Sequence, residues 1–234
     1  MPKIGTPETH KLKGNFGYSA VGIKDLGATE YTLVTLVVDR STSVGGFVKE
    51  LTEAVKEIVQ SCKYSKRADN LLIRIMQFGN DMHEIHGFKL LSQINPADYD
   101  NAIQISGSTA LYDASTNGIA AAVDYGEKLS AQDFNVNAIV FVLTDGDDNM
   151  SVMGPSAVKD AMKQAMVKEK LESMISILIG VNMQDAGTSA RLDQFHKDAE
   201  FSQFIAIKDA SAKSLAKLAQ FVSQSISSQS QALG

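Results

Sequence analysis

A single cysteine, Cys62, stands in this 234-residue chain, which excludes an intrachain disulfide and any zinc cluster built on thiolates. Positive charge is scarce as well. The 22 Lys and Arg are outnumbered by 27 Asp and Glu, for a formal charge of −5, and they form no basic block. Phosphate binding needs clustered cations, so nucleic acid is not the expected partner. No apolar run approaches the ~20 residues that span a bilayer, so no membrane span is expected. The opening residues, Met1 to Glu8, lack the apolar core of a signal peptide. A soluble, cytoplasmic protein is the expectation. Also missing are the nucleotide loop Gly-x-x-x-x-Gly-Lys-Ser/Thr and the hydrolase elbow Gly-x-Ser-x-Gly.

What is present is an ordinary globular balance, with 44% hydrophobic and 21% charged residues, and a length that suits one α/β domain. Residues 1–30, rich in Gly, Lys and Thr, read as an N-terminal arm or a lead-in strand around Tyr18 to Ile23. Residues 31–226 read as the domain, and 227–234 as a polar tail. From Tyr31 onward short apolar runs alternate with segments of helical period, the βαβ pattern of a largely parallel sheet.

The runs Leu33–Val38, Leu71–Phe78, Ala138–Leu143, Met174–Val181 and Phe204–Ile207 suit strands covered on both faces. Met82 to Phe88 alternates apolar and polar residues after Gly79-Asn80-Asp81, which predicts a hairpin and an antiparallel edge strand. Phe47, Leu51, Val55, Ile58 and Cys62 recur at helical steps, as do Leu215, Leu218, Val222 and Ile226. Leu111–Leu129 and Val158–Met166 predict two more helices, the latter opened by Pro155, and a shorter one holds Leu192 and Phe195. The Ser- and Gln-rich stretch from Ser223 to Gln231 predicts fraying into solvent. The expected fold is α/β: a doubly wound, mostly parallel six-stranded sheet with one antiparallel edge strand and helices on both faces.

The first of these strands runs into Asp39-Arg40-Ser41-Thr42-Ser43. One carboxylate and two hydroxyls at alternate positions are hard oxygen donors of the kind magnesium accepts. Another strand ends in Thr144-Asp145-Gly146, and the turn Ser106-Gly107-Ser108-Thr109 lies between the two in sequence. Right-handed crossovers put the carboxyl ends of parallel strands on one rim, and ligands bind where the strand order reverses. Asp39 and Asp145 are expected to flank that crevice. Taken alone, Asp-x-Ser-x-Ser reads better as the N-cap of the Phe47 helix, and the other two motifs are what turn it toward a metal site.

In this order the three motifs resemble those of the von Willebrand factor A domain and its metal-ion-dependent adhesion site, over roughly Tyr31 to Ile226. The resemblance implies a Rossmann-like fold and a bound Mg2+, or Mn2+ or Ca2+. It implies Ser41 and Ser43 as direct hydroxyl ligands, Thr109 as a direct ligand in an open state, and Asp39 and Asp145 acting mostly through waters. It also implies a non-enzymatic interaction module, an intracellular scaffold or adaptor whose protein partner supplies an Asp or Glu to the ion. Neutral hydroxyl ligands leave the charge of the ion under-neutralised, which makes room for that carboxylate. One position departs from the family pattern: Thr42 stands where glycine is frequent, and a β-branched residue resists positive φ.

Two other functions are compatible with parts of the pattern. A chelatase- or MoxR-like role would make the chain a subunit that works with a partner ATPase. A Mg-dependent phosphohydrolase would use Asp39 as nucleophile, but Ser41 then occupies the place of the second carboxylate that serves as general acid. Asp145 to Asn149 starts like a calcium loop and fails at Met150 and Ser156, where Gly and Glu belong; Asp147 and Asp148 read as solvated charges. His83 and His86 fall on opposite faces of a strand and make no zinc pair. Arg40 covers the rim without a ligand role, and Met150 and Met153 read as part of a mobile loop.

Overall fold

In the computed structural model, which describes residues 7–12, 16–166 and 171–232, the strands are β1 (Glu8–Lys11), β2 (Gly17–Ala20), β3 (Glu30–Asp39), β4 (Leu71–Phe78), β5 (Met82–Leu90), β6 (Asn135–Thr144), β7 (Ser173–Gly180) and β8 (Gln203–Ala206). The helices are α1 (Val48–Cys62), α2 (Leu111–Ser130), α3 (Pro155–Met166), α4 (Ala186–Ala199) and α5 (Ala212–Gln231). One sheet runs in the order β1-β2-β5-β4-β3-β6-β7-β8. From β3 the chain passes to β4 on one side, and later to β6 on the other. The strand order therefore reverses at β3, which is parallel to both neighbours.

The alternation of β3 explains the layering. Leu33 and Val37 pack with Leu111, Ala114 and Val158 on one face, whereas Val34, Leu36 and Val38 pack with Leu51, Val55 and Leu215 on the other. Helices α2, α3 and α4 thus cover one side, and α1 and α5 the other. With both faces roofed, the central strands are mostly apolar, the signature of a buried parallel sheet, and their polar residues Thr32, Thr35, Arg74, Gln77 and Asn137 are buried with the rest.

The expected class holds, but the sheet has eight strands rather than six. The N-terminal lead-in is a hairpin: β1 pairs antiparallel with β2, and β2 begins at Gly17 and stops at Ala20, short of the expected Ile23. Residues 1–6 and 13–15 of the expected arm lie outside the described residues. The hairpin adds to β5, so β5 is not an edge strand. Between β2 and β5 the ladder holds only at Ala20 and Phe88, with the Val21 amide donating to the Phe88 carbonyl at 2.8 Å. Below that point Glu84 stands in for the missing ladder: its carboxylate accepts from the Ser19 amide at 3.0 Å, the Ser19 hydroxyl at 2.8 Å and buried Arg74 Nε at 2.6 Å. Tyr18 fixes the hairpin to α2 by donating to Asp124 at 2.6 Å.

The expected frayed tail is also corrected. Helix α5 continues to Gln231, and Gln229 and Ser230 are buried. Gln229 Nε2 donates to Ser173 Oγ at 2.6 Å while its carbonyl accepts from Asn137 at 2.9 Å. Polar composition signalled solvent, yet the Gln229 side chain has its partner inside. Residues 233–234 lie outside the described residues.

Candidate metal centre

Register decides where the carboxylates go. Val38 of β3 is paired with Leu143 of β6, which sets Asp39 beside Thr144 and Asp145 one step beyond on the same rim. Thr144 Oγ1 donates to Asp39 Oδ2 at 2.6 Å, and the Ser41 amide donates to Asp39 Oδ1 at 2.7 Å. From Asp39 the chain turns through a short 3-10 segment, Thr42–Gly46, into α1. That turn carries Ser43 out over the rim, where its hydroxyl donates to Asp145 Oδ1 at 2.7 Å and lies 3.1 Å from Ser41 Oγ. Four of the five expected ligands, Asp39, Ser41, Ser43 and Asp145, therefore meet in one hydrogen-bonded cluster drawn from residues about a hundred positions apart.

The fifth, Thr109, is buried at the entry to α2. No hydrogen bond joins its hydroxyl to the other four; it is tied in through backbone. Its amide donates to Asn149 Oδ1 at 2.9 Å and its carbonyl accepts from the Asn149 amide at 3.0 Å. The loop before it is held to the Ser41 turn, because the Gly107 carbonyl accepts both the Thr42 amide at 3.1 Å and the Thr42 hydroxyl at 3.0 Å. Gly107 has φ +70°, and a Cβ there would come within 2.4 Å of Asn80. The close approach at Gly79 is tighter still, since a Cβ would meet the Ser106 carbonyl at 2.3 Å.

Thr42 itself is not among the positive-φ residues, so its β-branch is accommodated and its hydroxyl adds a link that glycine could not supply. Arg40 is buried rather than spread over the rim: its guanidinium pairs with Asp81 and donates to the Gln104 carbonyl at 2.9 Å. It braces the turns that frame Thr109. Asp148 is likewise more than a solvated charge, because it accepts from the Tyr112 amide at the start of α2 and from the Ser151 hydroxyl. Asp147 pairs with Arg191. His86 is satisfied by the Tyr99 hydroxyl at 2.7 Å, and His83 lies 2.8 Å from Asp81.

Electrostatically the cluster is two carboxylates without a cation beside them among the described residues. Burial pushes the Asp39 carboxyl up to about 6, against the opposing pull of its hydrogen bonds from Ser41 and Thr144. Asp145 is raised for the same first reason, offset by the Ser43 hydroxyl. Among the described residues no three His, Cys, Asp or Glu gather at one place, so an ion here would rely on hydroxyls. Two carboxylates and neighbouring hydroxyls, with no nitrogen or sulfur, fit a hard divalent cation. Sequence reasoning gave Asn149 no role, Arg40 only a place on the rim and Thr144 only a place in its motif. The partners that give them their roles are remote in sequence, and only the Thr144-Asp145-Gly146 motif gave a local signal.

No curated protein matches the chain in sequence. Solved structures do match in fold. The PilB minor pilin from Streptococcus sanguinis aligns over 86% of this chain and 62% of its own, with 13% identity and a TM-score of 0.58. The pilus adhesin SpaC from Lactobacillus rhamnosus GG, in its open conformation, aligns over 86% and 30%, with 11% identity and a TM-score of 0.58. Proximal thread matrix protein 1 from the mussel byssus, with a zinc-occupied metal-ion-dependent adhesion site, aligns over 86% and 47%, with 18% identity and a TM-score of 0.54. The chain spans less than two thirds of each of these proteins, and at such identities the likeness is one of fold. The sequence profile of the von Willebrand factor type A domain matches residues 34–223. The chain belongs to the von Willebrand factor type A domain family.

Proposed function

We propose that this domain is a divalent-metal-dependent protein-interaction module in which Asp39, Ser41, Ser43, Thr109 and Asp145 hold Mg2+, or Mn2+ or Ca2+, and a partner's Asp or Glu completes the coordination shell. Domains of the family generally serve as metal-dependent interaction modules. The observation that carries the reading is the Ser43 to Asp145 hydrogen bond of 2.7 Å across the strand-order reversal, with Ser41 3.1 Å from Ser43. It joins the two halves of the donor set. An ion bound there supplies a positive charge that attracts a carboxylate; the residues of the chain orient it and shield it.

The reading is non-enzymatic. Both Asp39 oxygens are taken by the Ser41 amide and the Thr144 hydroxyl, which suits a carboxylate that orients a coordination shell rather than one that attacks a phosphorus atom. Ser41 offers no proton at neutral pH where a phosphohydrolase needs a general acid. A cytoplasmic location belongs to the same proposal and is supported by the lone, buried Cys62. Among the described residues no helix is long and apolar enough to cross a membrane. Cell fractionation checks the location; recovery at the surface would move the same site to adhesion there, and the SpaC neighbour is itself a pilus adhesin.

The test of the site is a thermal melt with increasing Mg2+ or Mn2+. An ion that binds only the folded state stabilises by mass action, about 2.7 kcal/mol at a hundredfold excess over Kd. For a chain of this size that raises Tm by roughly 5–10 °C. Asp39→Ala removes the shift. Flat titrations of the wild type with both metals would refute the metal reading.

A further inference from the structure

Four large apolar side chains are exposed among the described residues: Tyr64, Ile105, Met150 and Val152. Scattered exposed apolar residues need no explanation. Three of these, however, sit on the loops that border the metal centre. Ile105, 37% exposed, precedes Ser106, whose amide donates to the Arg40 carbonyl at 2.8 Å. Its Cγ2 lies 3.9 Å from where a Cβ on Gly45 would stand, so it flanks the turn that carries Ser41 and Ser43. Met150 and Val152, 53% and 94% exposed, follow Asn149, the residue locked to the Thr109 backbone. Apolar side chains thus stand exposed on two of the loops that border the oxygen cluster.

The exposure of Val152 is not slack in a loop. The Val152 and Met153 amides donate to the buried Asp113 carboxylate in the first turn of α2 at 3.0 and 2.9 Å. In return Ser151 Oγ accepts from the Tyr112 and Asp113 amides at 3.0 and 3.1 Å. Loop and helix start cap one another. That pinning keeps a β-branched side chain in water, where it contributes nothing to folding, and contact residues ordered in advance cost little entropy on association.

Charge says what belongs between the flanks. A divalent ion balances Asp39 and Asp145, and the hydroxyls add no charge. The other rim carboxylates are engaged: Asp81 with Arg40 and His83, Asp147 with Arg191, and Asp148 with the Tyr112 amide and the Ser151 hydroxyl. The next anion on the ion has to come from outside. We propose that Ile105, Met150 and Val152 form an apolar collar that selects protein segments whose metal-binding Asp or Glu is flanked by aliphatic side chains. The inference rests on the metal-site reading above and adds the partner's recognition chemistry to it.

The test uses the full chain and labelled synthetic peptides with a central Asp or Glu, flanked by Leu, Val and Ile in one set and by Ser, Gly and Asn in another. Anisotropy is read in Mg2+, in Mn2+ and in chelator. Burying one or two aliphatic side chains should make the first set bind at least about tenfold more tightly in metal. Val152→Ser and Ile105→Ser should each erase much of that preference while leaving the metal-induced thermal shift unchanged. Equal metal-dependent affinity for both sets overturns the collar and leaves the metal site standing, as does a preference that Val152→Ser does not alter. No peptide binding alongside a normal thermal shift also overturns the collar. A flat thermal titration, with peptide binding that survives chelator, refutes the metal reading and with it this inference. Metal-dependent dimers in sedimentation that Val152→Ser dissolves would make the occupant a second copy of the chain and overturn the proposal as stated.

Discussion

Asp39 gives both carboxylate oxygens to neutral donors, in a place where only 1% of the residue is exposed and its pKa rises to about 6. In the unfolded chain an aspartate titrates near 3.9, so the folded state holds this proton more tightly. Stability therefore falls as pH rises through the window between those values. The contribution is complete below about pH 4 and is lost by the time pH has passed about 6, a difference on the order of 3 kcal/mol. A cation competes with the same proton, so its stabilisation runs the opposite way and grows through about pH 6. Melts at pH values from about 4.5 to 7.5, with and without Mg2+, check both slopes against Asp39→Asn, which carries neither. A metal-induced shift that does not vary with pH would contradict the assignment to Asp39.

At the level of elements, the β1–β2 hairpin depends on one side chain. Glu84 accepts from Ser19 twice and from buried Arg74 once, where β2 and β5 share almost no ladder. Glu84→Ala leaves the Arg74 charge buried without its partner, a cost of about 3–5 kcal/mol. The double replacement with Arg74→Met should recover a large part of that, since no charge is then stranded. Denaturant titration of the two variants decides it; equal losses in both would mean that the ion pair does not anchor the hairpin. This junction also shows why the N-terminal region was hard to read. The central parallel strands announce themselves because both faces are roofed and most of their residues are apolar. By contrast β1 and β2 are four residues each, and β2 is placed by a carboxylate 65 positions away. Gln229 was misread for a related reason: its polarity is satisfied inside by Asn137 and Ser173. In the candidate centre, Asp39, Ser41, Ser43 and Asp145 were visible because strand ends and motifs coincide. Asn149 was not, since its bond to Thr109 is fixed only when two loops meet.

Across the whole molecule, the rim is assembled from the loops after β3, β4 and β6 and the segment that leads from β5 into α2, and it is cross-linked by backbone: Arg40 to Phe78 and Ser106, Thr42 to Gly107, Ala110 to Gly79, Asn149 to Thr109. Loops joined in this way should stiffen together. Mg2+ should slow amide hydrogen exchange in residues 40–46, 104–110 and 144–153 as one group and leave β1, β2 and the end of α5 unaffected. Protection confined to residues 40–46 would contradict that coupling. The Thr109–Asn149 link has a practical consequence. The chain contains no tryptophan, so Val152→Trp would introduce the sole indole, three residues from Asn149 and out in solvent. Its emission would act as a gauge of ion arrival, a single optical channel in which metal and peptide titrations are read without a label.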